Sequence, residues 1–295
     1  MNMVLVTGAT GYVGSSIIPL LLKQGRTVRG LVRNPSRKKD PNFPDIELVS
    51  GSITNPNDLA SAMEGVTEVI HLVGILLEQG NATFEQVHHQ GTAHVVEAAK
   101  AAGVKRFIHM SALGTRNHAD SQYHQTKYRA EQCVEGSGLD YTIFRPSVIF
   151  GPLDDFVNQF ATIIKRSPIV PILGDGKARM QPVWIEDVAF CFAAALDSPE
   201  TISKTFEMGG PTAMTFEEII DAIKTALGRR RFSLKMPFSL LRMEAAVFEK
   251  VLPKPPFTQD QLIMAQEDNV AKDSAVWAVF DRQPRDFSDG IRDFL

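Results

Sequence analysis

The sequence predicts an α/β protein, a doubly wound parallel sheet carrying a smaller C-terminal lobe. Three observations point there. A glycine-punctuated turn, Thr7-Gly8-Ala9-Thr10-Gly11-Tyr12-Val13-Gly14, follows the apolar run 3–6 and opens the amphipathic stretch 15–22, giving a strand, a turn and a helix in that order. Short apolar runs recur at 27–32, 46–49, 68–73 and 105–110, with helical stretches at 57–63 and 84–102 between the later ones, and strand–helix alternation of this kind builds parallel sheets. A chain of 295 residues can bury one such domain together with a second lobe.

Composition narrows the function classes. The formal charge is −3, and basic and acidic residues are interspersed, so the chain lacks the electrostatic footprint of a nucleic-acid binder. Cys133 and Cys191 are the only cysteines, too few for a disulfide framework, and they read as free thiols in a reducing compartment. The first strand starts at residue 3 without a basic leader before it, and no apolar run approaches the roughly 20 residues of a membrane span. The expectation is a cytoplasmic protein with no integral membrane segment.

The glycine turn carries the first chemical signal. Gly8 and Gly11 can take backbone angles closed to other residues, and Gly14 lets the helix lie close on the strand. The helix N-terminus then offers N–H donors to phosphates. Thr10, Tyr12 and Val13 lie in the same turn, which makes it a cradle for a dinucleotide pyrophosphate. Gly25 stops the first helix, and the second strand ends at Arg33. About 20 residues beyond the turn an acid would meet the 2′-hydroxyl of the adenosine ribose, whereas an arginine accommodates a 2′-phosphate. Arg33, with Arg37, Lys38 and Lys39 behind it, therefore favours NADP(H), with NAD the alternative. Pro41 and Pro44 break the chain before the third strand, beyond which Ser52 and Ile53 are placed for the edge and face of adenine. The fourth run ends in Leu72-Val73-Gly74, as a buried strand passing under a cofactor would.

The fifth strand ends in Met110-Ser111-Ala112, and Tyr123-His124-Gln125-Thr126-Lys127 follows. Tyrosine and lysine four apart share a helix face. An ammonium close to the phenol favours its ionised form, so Tyr123 is expected to have a lowered pKa and to exchange a proton with a substrate oxygen. Ser111 is the third catalytic candidate, and Met110, Ser111, Tyr123 and Lys127 are expected to touch the cofactor as well. His88 and His89 are adjacent in the long helix, point about 100° apart and have no third ligand at suitable spacing, so no metal is expected. His88 either lines the cofactor cleft or packs in the core.

With these residues in view, the chain resembles the short-chain dehydrogenase/reductase superfamily on its extended or atypical side, the NAD-dependent epimerase/dehydratase-like proteins with a Rossmann fold. The resemblance rests on Gly8-x-x-Gly11-x-x-Gly14, on Tyr123 and Lys127, on Arg145-Pro146-Ser147-Val148-Ile149-Phe150-Gly151-Pro152, and on Trp184-Ile185-Glu186-Asp187-Val188-Ala189. Gln259-Asp260-Gln261-Leu262 and Asp268-Asn269-Val270 make it most similar to the branch that includes the 39-kDa accessory subunit of respiratory complex I. The resemblance implies that Pro146, Ser147 and Val148 pass the nicotinamide, that Tyr123 is the acid/base, and that Lys127 orients the ribose. Ala112 stands where family enzymes usually carry serine or threonine, and His88 where asparagine is common. Ser111 is the neighbouring hydroxyl, but residues one apart on a strand face opposite ways.

The cues divide the chain into a dinucleotide-binding core, 1–150, rejoined by about 183–210, and a substrate lobe formed by 151–182 and 211–295. In the lobe 156–164 reads as a helix, 168–176 as a proline- and glycine-rich loop, 186–196 as a helix returning along the core, and 206–210 as a strand with its turn. A capping-box pattern, Thr215-x-x-Glu218, opens a helix over 215–227 that stops at Gly228. The apolar segment 238–252 reads as a helix covering the substrate cleft; because it carries Glu244 and Glu249 and lacks a basic face, peripheral membrane or protein-complex association is the less favoured alternative. The sequence thus predicts an NAD(P)-dependent oxidoreductase or epimerase/dehydratase-like enzyme acting on a small molecule, the alternative being an NADP(H)-bound scaffold or redox sensor without turnover.

Overall fold

The computed structural model describes residues 2–36, 42–253 and 255–295; Arg37, Lys38, Lys39 and Pro41 lie outside the described residues. In the N-terminal half the strands are β1 (Met3–Thr7), β2 (Thr27–Val32), β3 (Glu47–Ser50), β4 (Glu68–His71), β5 (Arg106–Met110) and β6 (Asp140–Pro146). Between them run α1 (Tyr12–Lys23), α2 (Pro56–Ala62), α3 (Gly91–Ala101) and α4 (Gln122–Glu135). Beyond β6 come β7 (Ile149–Phe150), α5 (Phe156–Arg166), β8 (Ile169–Leu173), β9 (Arg179–Met180), β10 (Val183–Trp184), α6 (Ile185–Ala194) and β11 (Lys204–Met208). The chain ends with β12 (Met214–Thr215), α7 (Phe216–Ala226), β13 (Phe232–Met236), α8 (Phe238–Val251), α9 (Gln259–Met264), α10 (Ala275–Val279) and α11 (Phe287–Arg292).

The central sheet has seven strands in the order β11-β6-β5-β4-β1-β2-β3, and every pairing is parallel. Its order reverses between β1 and β4, which is where doubly wound sheets bind ligands. The period-2 alternation of strand side chains supplies a core on each face. Val4 and Val6 of β1 join Ile17, Leu21 and Phe192 on one side, while Leu5 joins Leu59, Val95 and Phe107 on the other.

The long helical stretch 84–102 begins as a π-helical turn, Glu85–Gln90, and continues as α3. The stretch 168–176, expected to be a loop, contains β8, which pairs in parallel with β13. Val170 and Ile172 are fully buried while Pro171 is only partly covered, so the alternation of a half-buried strand outweighed the proline and the glycines of the turn that follows. Thr215 and Glu218 form the expected reciprocal cap on α7. The C-terminal segment returns to the sheet: the Trp277 indole N–H donates to the Gly209 carbonyl at 2.9 Å, and buried Asp187 accepts from Arg282 Nε and the Arg285 backbone N–H, both at 2.7 Å. No helix among the described residues is long and apolar enough to cross a membrane.

Candidate active site

A cavity of about 1270 Å³ opens along the C-terminal ends of the strands. Gly8, Thr10, Gly11, Tyr12, Val13 and Gly14 line it from the glycine turn, Arg33 from the end of β2, and Ser52 and Ile53 from beyond β3. Leu72, Val73 and Gly74 come from beyond β4, and Met110 and Ser111 from the end of β5. Tyr123 and Lys127 reach it from α4, and Pro146, Ser147 and Val148 from the end of β6. Strands that all run one way bring their C-terminal ends to one edge, which is why residues so distant in sequence meet here.

The turn fits a pyrophosphate. Gly8 has a φ of +76°, and its carbonyl accepts the Gly11 N–H at 3.0 Å. A Cβ on Gly14 would stand 2.6 Å from the carbonyl oxygens of both Gly8 and Ala9, so only glycine lets α1 start this close to β1. The N-cap of α1 is Gly11, which supplies no side-chain acceptor, and the first turn of the helix therefore faces the cavity without a side-chain cap.

At the end formed by β2 and β3, Arg33 is exposed on the cavity rim. The Ser52 hydroxyl lies 2.8 Å from that of Thr54, and the Ser52 backbone N–H donates to Asp58 Oδ2 at 2.8 Å, which fixes the turn after β3. Ile53 is buried and offers an apolar face.

At the other end, α4 is held by two caps. Ser121 Oγ accepts the His124 N–H at 3.2 Å, and the Asp260 carboxylate, from α9, accepts the N–H groups of Gln122 at 2.7 Å and Tyr123 at 3.2 Å. Glu131, fully buried one helical turn beyond Lys127, pairs with Arg145 through contacts of 2.7 and 2.5 Å, so the arginine of the Arg-Pro pair anchors α4 to β6. Lys127 is buried, and its Nζ donates to the Met110 carbonyl at 2.9 Å. Burial lowers its pKa to about 8. Tyr123 is ringed by Phe84, His88 and His124 at centroid distances of 5.9, 5.1 and 5.4 Å. Its pKa rises to about 12 through burial. The expected lowering is therefore reversed: desolvation of the phenolate dominates, and Lys127 is engaged by a backbone carbonyl.

His88 does not line the cavity; it supports the wall from behind. Its Nε2 accepts the Ile75 N–H at 3.0 Å and its Nδ1 lies 3.0 Å from Thr126 Oγ1, whose hydroxyl donates to the Gln122 carbonyl at 2.8 Å. Nε2 also lies 3.1 Å from the Ile75 carbonyl, so His88 is held through both ring nitrogens. Burial and the charge of Lys127 push its pKa down to about 2, so His88 is neutral. The π-helical turn supplies the extra residue that brings it here. Ser111 Oγ is buried and donates to Thr115 Oγ1 at 3.3 Å, while Ala112 faces the cavity without a hydroxyl.

Two residues acquire roles that the sequence did not assign. Asp260 caps the helix that carries Tyr123, and the capping box formed by Thr258 and Gln261 was the available signal for α9. Asn269 accepts from Ser147 Oγ at 2.5 Å and donates to the Leu113 carbonyl at 3.2 Å, which fastens the loop after β6 to the loop after β5. Among the described residues no group of three His, Cys, Asp or Glu side chains is placed to hold a metal.

A glycine turn at a helix N-terminus, placed at the reversal point of an all-parallel sheet, defines a dinucleotide-binding protein. The chain belongs to the NAD(P)H-binding family, which it matches over residues 8–162, and it binds a nicotinamide dinucleotide. It is 29% identical to NADH dehydrogenase (ubiquinone) 1 alpha subcomplex subunit 9, a mitochondrial protein of Arabidopsis thaliana, over 92% of this chain and 71% of that protein. It is 30% identical to the ceramide reductase of Caulobacter vibrioides over 80% of this chain and 74% of that protein. Its fold superposes on the UDP-glucose 4-epimerase of Thermus thermophilus, a complex with NAD, with a TM-score of 0.77, 21% identity and coverage of 99% and 98% of the two chains.

Proposed function

We propose that the protein is an NADP(H)-dependent oxidoreductase that reduces a carbonyl substrate, with Tyr123 as the proton donor. The glycine turn would hold the pyrophosphate, Arg33 the 2′-phosphate, Ser52 and Ile53 the adenine, and Lys127 the nicotinamide ribose. The bound nicotinamide supplies hydride. The observation that carries the reading is the placement of Tyr123: it lines the cavity one helical turn from Lys127, and as a phenol it is protonated at neutral pH, as an acid for a developing alkoxide must be. Lys127 fixes a positive charge beside the end of β5, where that alkoxide would form, and His88 sets the Ile75 backbone that closes the wall. The similarity to a ceramide reductase supports turnover.

A second reading, a cofactor-bound scaffold, draws on Ala112 and on the similarity to a respiratory-complex subunit. The two readings part on Tyr123→Phe. In the enzyme this change lowers NADPH oxidation by about 10² to 10⁴, the usual contribution of a positioned acid, and leaves NADPH affinity nearly unchanged. A parent protein that binds NADPH and oxidises it with no member of a broad carbonyl panel would favour the scaffold.

A further inference from the structure

Resting on that reading, we propose that the substrate is an uncharged carbonyl compound with a long hydrocarbon tail, and that the tail lies in the part of the cavity walled by the C-terminal lobe. The cavity, about 1270 Å³, exceeds the roughly 300 to 1,000 Å³ typical of small-molecule pockets, so it has room for a second molecule beside a dinucleotide. Away from the residues assigned to the cofactor, its wall is formed by Phe156 and Phe160 of α5, Leu173 of β8, Met236 of β13, Leu241 of α8 and Phe257 before α9. These six side chains present an apolar surface that favours hydrocarbon.

The charges on the wall exclude the substrates of the solved structures that share the fold. Among the described residues lining the cavity the cationic side chains are Arg33, at the adenosine end, and Lys127, buried and bonded to the Met110 carbonyl. His124 also lines it, and burial lowers its pKa to about 4, so it is neutral. The lobe side contributes carboxylates instead: Asp154, Asp155, Glu244, Glu267 and Asp268. A nucleoside-diphosphate sugar would bring two phosphate charges to a wall with several acids and, among the described residues, no free cation beyond Arg33, and desolvating them there would be strongly unfavourable. The acids do not provide a cation site in compensation. Glu267 is paired with Arg116 through contacts of 2.8 and 2.7 Å, Asp268 accepts the Arg179 N–H at 2.9 Å, and Asp154 accepts the N–H groups of Gly151 and Val157 at 3.1 and 2.5 Å.

In the reaction Tyr123 gives its proton to the carbonyl oxygen as hydride supplied by NADPH forms the new C–H bond. The products are a secondary alcohol and NADP⁺, and a proton from water restores Tyr123. The test measures NADPH oxidation with methyl ketones from butanone to 2-tridecanone, with decylubiquinone, and with UDP-glucose, together with calorimetric binding of 2-tridecanone to the NADP⁺-loaded protein. Expected is a kcat/KM that climbs with chain length, by up to about fourfold per buried methylene, and calorimetric binding of 2-tridecanone. The ketone arm tests the step written here; reduction of decylubiquinone with no ketone reduced, which gives a hydroquinone and no new C–H bond, would overturn the ketone head group and leave the apolar site standing. Phe160→Asn should flatten the chain-length gradient, with retained NADPH binding reporting that it has folded. Turnover of UDP-glucose, or of ketones without dependence on chain length, would overturn the substrate class and leave the oxidoreductase reading standing. Binding of 2-tridecanone without oxidation of NADPH by any compound would overturn the oxidoreductase reading and leave the apolar site. Long-chain compounds that are neither bound nor reduced would overturn the proposal itself.

Discussion

Asp260 and Tyr123 are joined through the backbone: the Asp260 carboxylate accepts the Tyr123 N–H at 3.2 Å, from a helix more than a hundred residues further along the chain. It also accepts the Gln122 N–H, so α9 caps the helix that carries the proposed acid. Asp260→Ala removes both acceptors. A stability loss of about 0.5 to 2 kcal/mol is expected, as for other helix caps. Turnover should fall while NADPH affinity holds, because the change frees the Tyr123 end of α4 and touches no residue assigned to the nucleotide. Urea unfolding, steady-state kinetics and a nucleotide titration check the three parts separately.

Arg33 lines the cavity rim, and its proposed contact with a 2′-phosphate makes cofactor preference testable. NADPH should bind more tightly than NADH. A charge-assisted contact is worth about 1.5 to 3 kcal/mol, so Arg33→Asp should shift the ratio of the two affinities by roughly 10- to 150-fold towards NADH. Fluorescence titration with each nucleotide reads this directly, and equal affinities in the parent protein would refute it.

Ala112 lines the cavity beside Ser111, whose hydroxyl is already directed to Thr115. Ala112→Ser adds a donor on the cavity side of the chain. If the missing hydroxyl limits catalysis, kcat should rise at unchanged NADPH affinity; a kcat that stays constant or falls would show that the substrate oxygen is bound without it.

The parts of this architecture legible in the sequence are those governed by local rules. The glycine turn and the short apolar runs ending in Arg33, Gly74 and Met110 marked strand ends, and a parallel sheet gathers such ends on one edge, so the residues chosen there all line one cavity. What stayed hidden depends on tertiary contact. Pro171, Gly174 and Gly176 gave 168–176 the look of a loop, and only the partner strand β13 makes its first half a strand. The direction of the Tyr123 shift depends on how deeply the phenol is enclosed, which is not a property of Y-x-x-x-K spacing. His88, which accepts the Ile75 N–H, lies in a π-helical turn that the 3- and 4-residue repeat of 84–102 did not show.

The last expectation concerns acid stability and rests on a stack of histidines beneath the site. His71 on β4 and His109 on β5 are fully buried, with ring centroids 5.4 Å apart. His71 is bonded at both nitrogens, Nδ1 lying 2.6 Å from Thr7 Oγ1 and Nε2 3.0 Å from Thr92 Oγ1. Neither ring nitrogen of His109 has a partner among the described residues. Burial, reinforced by the charge of Lys127, lowers the His71 pKa to about 3 and the His88 pKa to about 2; burial, then His71 and Lys127, holds His109 well below its ordinary value. Histidines in the unfolded chain charge near pH 6.5, so below that pH the unfolded state binds more protons. The stability these neutral rings allow is therefore fully present above pH 6.5 and is lost as pH falls from 6.5 towards 3, at up to about 1.4 kcal/mol per pH unit for each ring. His109→Leu removes one of these rings together with an unsatisfied buried polar group. It should stabilise the protein at pH 7 by about 1 to 3 kcal/mol and lower the acid slope by about one proton. Urea midpoints measured between pH 7 and pH 5 on both proteins decide the matter: a variant less stable than the parent at pH 7 would mean that the His109 ring is hydrogen-bonded in the folded protein, and one with the same slope would mean that its pKa is not lowered there.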